Sequence, residues 1–302
     1  MNSGIVFDVK RFALHDGGGI RTTAFLKGCP LSCPWCQNPE GIDRAIRLEW
    51  TATKCIRCAA CVQSCPKDAL SQVAPRSGIA IDSVACNLCG LCVEECPTGA
   101  LGFVGRRVSA SDLAAELLRD RDFFEPDGGV TLSGGEPLAQ PDFAAEVLQA
   151  CRREGVHTAV ETSLAVGWNA IAAVLPHTSL FIADLKLADP EAHRHVVGGD
   201  LAGIRVNIER LVATGAHVLV RVPMIPGFTT AEENLVGLGA YVSSLRPEPH
   251  VELINYNPLA ESKYRVSKRE WPIARDVPRF TAGEMESLSA HVRAGGAADV
   301  FY

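Results

Sequence analysis

Apolar residues recur along this chain in two periods, and the change from one to the other divides it into parts. Short stretches that alternate apolar and polar, or are apolar throughout, lie at 5–8, 21–26, 129–132, 158–161, 180–185, 217–222 and 251–254 and predict strands. Apolar residues at helical spacing fill 110–123, 142–153, 168–175, 201–214, 231–244 and 282–292 and predict helices. After Gly105 the rhythm is strand, helix, strand, helix, which argues an α/β chain with a parallel sheet and crossover helices. With the strand that opens at Arg21, this gives six repeating units. Ligand-binding groups gather beyond strand C-termini in such sheets. Those places hold Ser133, Gly134, Gly135 and Glu136; Thr162 and Ser163; Asp184 and Lys186; Arg221 and Pro223; and Asn255 and Asn257. Residues 264–278, with charge, aromatics and two prolines, are expected to be irregular. His193 and His195 lie in a polar stretch without clear period and are expected to face solvent.

Residues 51–103 break this rhythm with two copies of one pattern: Cys55, Cys58, Cys61, Cys65, Pro66, then Cys86, Cys89, Cys92, Cys96, Pro97. The spacing is that of a bacterial two-cluster ferredoxin, in which three close cysteines wrap one cubane and the fourth, followed by proline, crosses to the other. The rule assigns Cys55, Cys58, Cys61 and Cys96 to one [4Fe-4S] cluster, and Cys86, Cys89, Cys92 and Cys65 to a second. A pair of zinc sites is the alternative. The segment is expected to be an electron-transfer module inserted between 1–50 and 104–302.

Cys29, Cys33 and Cys36 form a third group, directly after the predicted strand at 21–26. Three thiolates can hold three irons of a cubane and leave the fourth open to a small molecule. A structural zinc site normally takes a fourth Cys or His close by, and between Lys10 and Cys55 only His15 is available.

Composition narrows the picture. A chain of 302 residues, 47% hydrophobic and 21% charged, can bury one substantial core with a small module attached. A net charge of -6 offers no basic footprint for nucleic acid or anionic membrane, so neither is expected as a partner. The first thirty residues hold charges and a glycine run and no apolar leader, which leads to a cytoplasmic expectation. Eleven of the twelve cysteines sit in metal-ligand spacings, so they imply a reducing, oxygen-poor compartment and not disulfides. Cys151, on a predicted helix, is expected to be a buried small hydrophobe.

Gly134, Gly135 and Glu136 can turn backbone and a carboxylate toward an ammonium group. Asp184 and Lys186 alternate with Leu185, so an extended strand points both to one side, as ligand contacts or as a buried pair. Arg221, after an apolar run, can clamp a carboxylate. Gly17, Gly18 and Gly19 allow close approach of backbone to a ligand or peptide.

These motifs resemble the activating enzymes of glycyl radical enzymes, a group of radical S-adenosylmethionine (SAM) enzymes typified by pyruvate formate-lyase activating enzyme. The resemblance runs from Gly17, Gly19 and Arg21 through Phe25, Gly28 and the three cysteines to Asn38, then through SGGEP at 133–137, DLK at 184–186 and RVPMIPG at 221–227. The insertion places the chain with longer members, similar to the activators of hydroxyphenylacetate decarboxylase, glycerol dehydratase and choline or isethionate lyases. It implies a partial (β/α)6 barrel. It further implies that Cys29, Cys33 and Cys36 bind the catalytic cluster and that Trp35, Gln37, Gly135, Asp184, Leu185 and Lys186 line the SAM site, with Gly134, Glu136, Arg221 and Asn257 as further contacts. The implied chemistry is reductive cleavage of SAM to a 5′-deoxyadenosyl radical that takes hydrogen from a glycine of a partner enzyme, with flavodoxin or ferredoxin as reductant. The alternative is a small-molecule substrate on the same scaffold. The chain departs from the family pattern at Gly18, where HDGGGIR replaces HDGPGIR, at ETSL (161–164) in place of ETCG or ETSG, and at Asn257, where the family usually has a histidine.

Overall fold

A computed structural model of the chain describes residues 2–74, 78–267, 270–274 and 276–302. The main sheet has nine strands: β1 (Ser3–Ala13), β2 (Arg21–Leu26), β3 (Arg106–Ser109), β4 (Gly129–Gly134), β5 (His157–Thr162), β6 (Leu180–Asp184), β7 (Val218–Met224), β8 (His250–Asn255) and β9 (Val300–Phe301). Their order is β9-β8-β7-β6-β5-β4-β2-β1-β3. From β2 through β4 to β9 every pair is parallel, while β1 runs antiparallel to both β2 and β3. The six expected parallel strands are present in sequence order; β3 and the two-residue β9 are additions too short for a period to reveal.

Helices fill the crossovers: α1 (Ala110–Leu117), α2 (Pro141–Arg153), α3 (Trp168–Val174), α4 (Pro190–Val197), α5 (Leu201–Ala213), α6 (Glu232–Ser244), α7 (Glu261–Ser267) and α8 (Ala282–Ala294). The helix expected over 110–123 stops at Leu117 and tightens into a 3-10 turn over Leu118–Phe123. Leu113, Leu117, Val147, Leu148, Ile171, Ile208, Leu211, Leu235 and Val242 pack on alternate strand residues, among them Val130, Leu132, Val160, Phe181, Val220 and Leu253. Each such fully buried aliphatic side chain contributes about 1.5–3 kcal/mol. Cys151 is in this core, fully buried as expected. No helix among the described residues is long and apolar enough to cross a membrane.

The period of two leaves the intervening strand residues on the other face of the sheet. Those residues include Arg21 and Thr23, Thr131 and Ser133, Glu161, Asp184, Arg221 and Glu252, together with Phe25, Ala159, Ile182, Leu219 and Ile254. One face of the sheet is therefore an apolar bed for helices, and the other mixes apolar residues with the sheet's charged ones.

Two expectations need correction. The stretch with His193 and His195 is helix α4, capped by Asp189 with Pro190 in the first turn. Its inward positions are Val197 and His193; His193 is 2% exposed, and its Nδ1–H donates to the Gly199 carbonyl at 3.0 Å. A polar residue on the buried face hid the period; His195 does face solvent. The irregular stretch expected from Tyr264 begins inside α7, and residues 268, 269 and 275 of it lie outside the described residues.

The 51–103 segment stands on an antiparallel strand pair, Arg47–Trp50 with Leu101–Val104. Beyond that stem it holds a small hairpin, Leu70–Gln72 with Ile79–Ile81, and two single-turn helices, Ala60–Gln63 and Leu91–Glu94. Its own core is Leu48, Leu70, Ile79, Leu101, Cys61 and Cys92.

Candidate active site

The loop with Cys29, Cys33 and Cys36 leaves the C-terminal end of β2 and is fastened on three sides. From the neighbouring strand, Gly135 N–H donates to Leu26 O at 2.8 Å and Glu136 N–H to Gly28 O at 2.7 Å. This contact requires glycine, because a Cβ on Gly135 would lie 2.6 Å from the carbonyl oxygens of Gly28 and Gly41. From α4, the Val197 carbonyl accepts Ser32 N–H at 2.9 Å. From α7, the single Tyr264 O–H is shared between the carbonyls of Pro34 (2.8 Å) and Cys36 (2.9 Å), and Lys263 Nζ donates to that of Gln37 (3.0 Å). Sequence reading missed Lys263 and Tyr264; a lysine and an aromatic shortly after the last polar strand end were the available hint. It also missed Lys27, fully buried, which donates to Glu40 O at 2.6 Å and whose pKa burial pushes down to about 8.

The three thiols are half-buried. Burial pushes Cys29 and Cys36 up to about 12 and raises Cys33, while backbone amides of Leu31 and Asn38 oppose it at Cys29 and Cys36. Lys186 is within electrostatic reach of all three and favours their thiolates. Burial works against the lysine's charge, but Asp184, 3.0 Å from Nζ, and Cys33 hold it protonated. Three soft sulfur donors beside a fixed cation suit an iron-sulfur cluster, whose metal charge would supply what the thiols need to ionise.

The other expected contacts divide. Asp184 and Lys186 share one side of their strand as an ion pair, and Gln37 is half-buried in the cysteine loop. Leu185 turns the opposite way into the helix-side core, 1% exposed. Trp35 is 3% exposed in a second small core with Val197, Ile225, Tyr256 and Ile273, its ring 4.9 Å from that of Phe228. Asn257 is exposed and uses its side-chain oxygen to accept Leu259 N–H at 3.1 Å.

Glu136 and Arg221 require correction. The Glu136 carboxylate is not open to an ammonium group: it is fully buried and accepts from Leu138 N–H (3.1 Å), Thr162 Oγ1 (2.8 Å), Ser163 N–H (2.9 Å) and Ser163 Oγ (2.7 Å). Arg221 does clamp carboxylates, but they are the chain's own: Glu161 at 2.6 Å and Glu252 at 2.7 Å, with a further bond to His15 O at 2.7 Å. Despite burial, Arg221 holds Glu161 below the ordinary carboxylate range. The glycine run at 17–19 does make a close approach, though to the protein itself: a Cβ on Gly19 would lie 2.5 Å from Gly128 N.

Within 51–103, one cavity is lined by Cys55, Cys58, Cys61 and Cys96, and another by Cys86, Cys89, Cys92 and Cys65. Each therefore combines three cysteines of one motif with the fourth of the other. Eight sulfur donors in two fours fit two cubanes.

Comparison with known proteins agrees. A 4Fe-4S dicluster domain profile matches residues 54–100, and a radical SAM superfamily profile matches 82–238, just over half of the chain. The chain is 38% identical to the (2S)-3-sulfopropanediol dehydratase activating enzyme of Klebsiella oxytoca, over 86% of this chain and 84% of that protein. The chain belongs to the glycyl radical enzyme activating enzymes of the radical SAM superfamily. Benzylsuccinate synthase activating enzyme of Thauera aromatica is another such relative, 39% identical over 86% of this chain and 80% of its own length. Spore photoproduct lyase has the same fold at 11% identity, with a TM-score of 0.52 over 98% of this chain and 79% of that one. The chain is accordingly a radical SAM enzyme of the activating type with iron-sulfur chemistry. Direct action on a small molecule is not favoured.

Proposed function

We propose that this chain installs a radical on a glycine of a partner glycyl radical enzyme. In this reading the six βα units form a partial (β/α)6 barrel from 1–50 and 104–302, with 51–103 inserted as a ferredoxin-like domain. Cys29, Cys33 and Cys36 would hold one cubane and leave one of its irons to a small molecule, and the eight cysteines of 51–103 would hold two more, three clusters in all. When bound, the clusters would supply one electron to SAM, and its cleavage to methionine would supply the 5′-deoxyadenosyl radical that takes a hydrogen atom from the glycine α-carbon. The chain's groups bind and orient. Gln37, Gly134, Gly135, Asp184 and Lys186 line the SAM site, with Asn257 at its rim and Trp35 packed behind the loop. Lys186 offsets thiolate charge, and Glu136 and Arg221 keep the strand ends rigid. The reductant is flavodoxin or ferredoxin, and the setting is the cytoplasm.

The observation that carries this is the set of three cysteine thiols at one strand end beside Lys186 and Asp184, within a chain of this family. The relatives are named for partners of different chemistry, a dehydratase and a synthase among them, so the proposal names a class of partner and no single one. Anaerobic reconstitution tests the assignment: iron approaches about twelve per chain in the native protein and about eight in Cys33→Ala, which also stops releasing 5′-deoxyadenosine from SAM. A native plateau near about four would contradict the two inserted clusters.

A further inference from the structure

The two cysteine-lined cavities of the insertion are related by the repeat, yet their mouths differ in charge and in place. Arg57 and Leu88 occupy equivalent positions, with the same left-handed backbone (φ 64° and 58°). The first mouth thus presents Lys54, Ile56 and Arg57 around the exposed thiol of Cys58, while the second presents Ala85, Asn87 and Leu88 around Cys89. Lys54 and Arg57 are exposed and make no ion pair among the described residues. Ile56 between them is 63% exposed. Glu95, next to Cys96 in sequence, lines the same cavity.

The stem sets the order of the cavities. In its register Leu48 faces Phe103 and Trp50 faces Leu101, with Arg47 opposite Val104 at the end nearest the main sheet. The Cys86 cavity is lined by Leu48 and Phe103, the Cys55 cavity by Ala100 and Leu101. The two rungs lie two residues apart, about 7 Å along the strand. The Cys55 cavity is the outer one.

Resting on the activase reading above, the geometry points to the Lys54, Ile56, Arg57 lip as the docking surface for an acidic one-electron carrier protein. On this account the outer cysteine set receives the electron and the set near the stem passes it inward. One electron leaves the reduced carrier and enters the outer cluster; no atom is exchanged. The chain as a whole carries a net charge of -6, so an acidic carrier meets net repulsion from the chain and attraction at this lip. A central exposed apolar residue with cations at its rim is the arrangement that sets on-rate and orientation in such encounters.

The test uses the full, anaerobically reconstituted chain and an acidic flavodoxin as probe. Binding is measured by titration at low salt, and cluster bleaching by stopped-flow with the flavodoxin hydroquinone. The double variant Lys54→Glu/Arg57→Glu is expected to weaken binding about tenfold and to flatten its salt dependence. Its iron content, and its SAM cleavage driven by dithionite, stay at the native level. Ala85→Glu/Leu88→Glu, which places two negative charges at the positions equivalent to Lys54 and Arg57 on the other mouth, is expected to leave binding within about twofold. Equal binding by native protein and the Lys54/Arg57 variant, or a larger loss in the Ala85/Leu88 variant, would overturn the assignment. Failure of the activase reading would show separately, as absent dithionite-driven cleavage in the native protein.

Discussion

Glu136 receives both the backbone N–H (2.9 Å) and the hydroxyl (2.7 Å) of Ser163, so the turn after β4 is bolted to the turn after β5. The same Glu136 offers its own N–H to Gly28 at the entry to the cysteine loop. One residue thus fixes three strand ends around the site. Glu136→Gln keeps the shape but sets an amide N–H₂ against donors that had a carboxylate. It is expected to cost about 2–4 kcal/mol in denaturant unfolding and to weaken SAM binding through the displaced loop. Unchanged unfolding would mean that the carboxylate is not the fastening it is taken to be.

Arg221 stands between Glu161 and Glu252 on the face of the sheet that carries the charged residues, 6% exposed in its side chain. Arg221→Met leaves both carboxylates without their cation and is expected to destabilise by about 3–5 kcal/mol. Adding Glu161→Gln and Glu252→Gln to Arg221→Met should recover part of that loss, because the uncompensated charges are then gone. A triple variant less stable than the single would contradict the account. Arg221→Lys should rescue poorly, since one ammonium cannot reach two carboxylates and the His15 carbonyl in the arginine's planar geometry.

How far the sequence foretold this site follows from what periodicity can see. Alternation marked the strands of the parallel sheet and the polar residues at their ends, and the cysteines that spacing groups together also share a cavity. Alternation tells which side of a strand a residue takes, but not what meets it there. Glu136 and Arg221 therefore read as ligand contacts when their partners, Ser163, Glu161 and Glu252, come from other strands. Helix α4 was invisible because His193 holds a core position that the pattern expects to be apolar. The ties from Lys263 and Tyr264 to the cysteine loop span more than two hundred residues, beyond the reach of local pattern.

His157 should make stability pH-dependent. Burial and the Arg21 guanidinium, 3.2 Å from Nδ1, hold its pKa below the ordinary histidine value. Arginine can only donate, so Nδ1 accepts and the ring is neutral. A lowered folded-state pKa means that the unfolded chain takes up the proton first as pH falls. The contribution is therefore complete above about pH 6.5 and is lost as pH drops toward the folded value. Melting temperature measured from about pH 8 to about 5 should fall less in His157→Gln than in the native protein. Equal slopes would remove His157 as the cause.

Gly19 and Gly18 should respond differently to alanine. At Gly19 the backbone is left-handed (φ 64°) and the added carbon meets Gly128 N at 2.5 Å; at Gly18 the nearest atoms are 3.4 Å away. Gly19→Ala is expected to cost about 1–3 kcal/mol and Gly18→Ala within about 0.5 kcal/mol, read from denaturant midpoints. A reversed order would mean that the loop does not pass 127–128 as described.

The central claim is tested most directly by electron paramagnetic resonance on the reduced, reconstituted chain with SAM and a glycyl radical enzyme encoded in the same genome. The account predicts a glycyl doublet on the partner, with about one 5′-deoxyadenosine released per radical formed. 5′-Deoxyadenosine without any protein radical, across the candidate partners of that genome, would contradict it and redirect the chemistry to a small molecule.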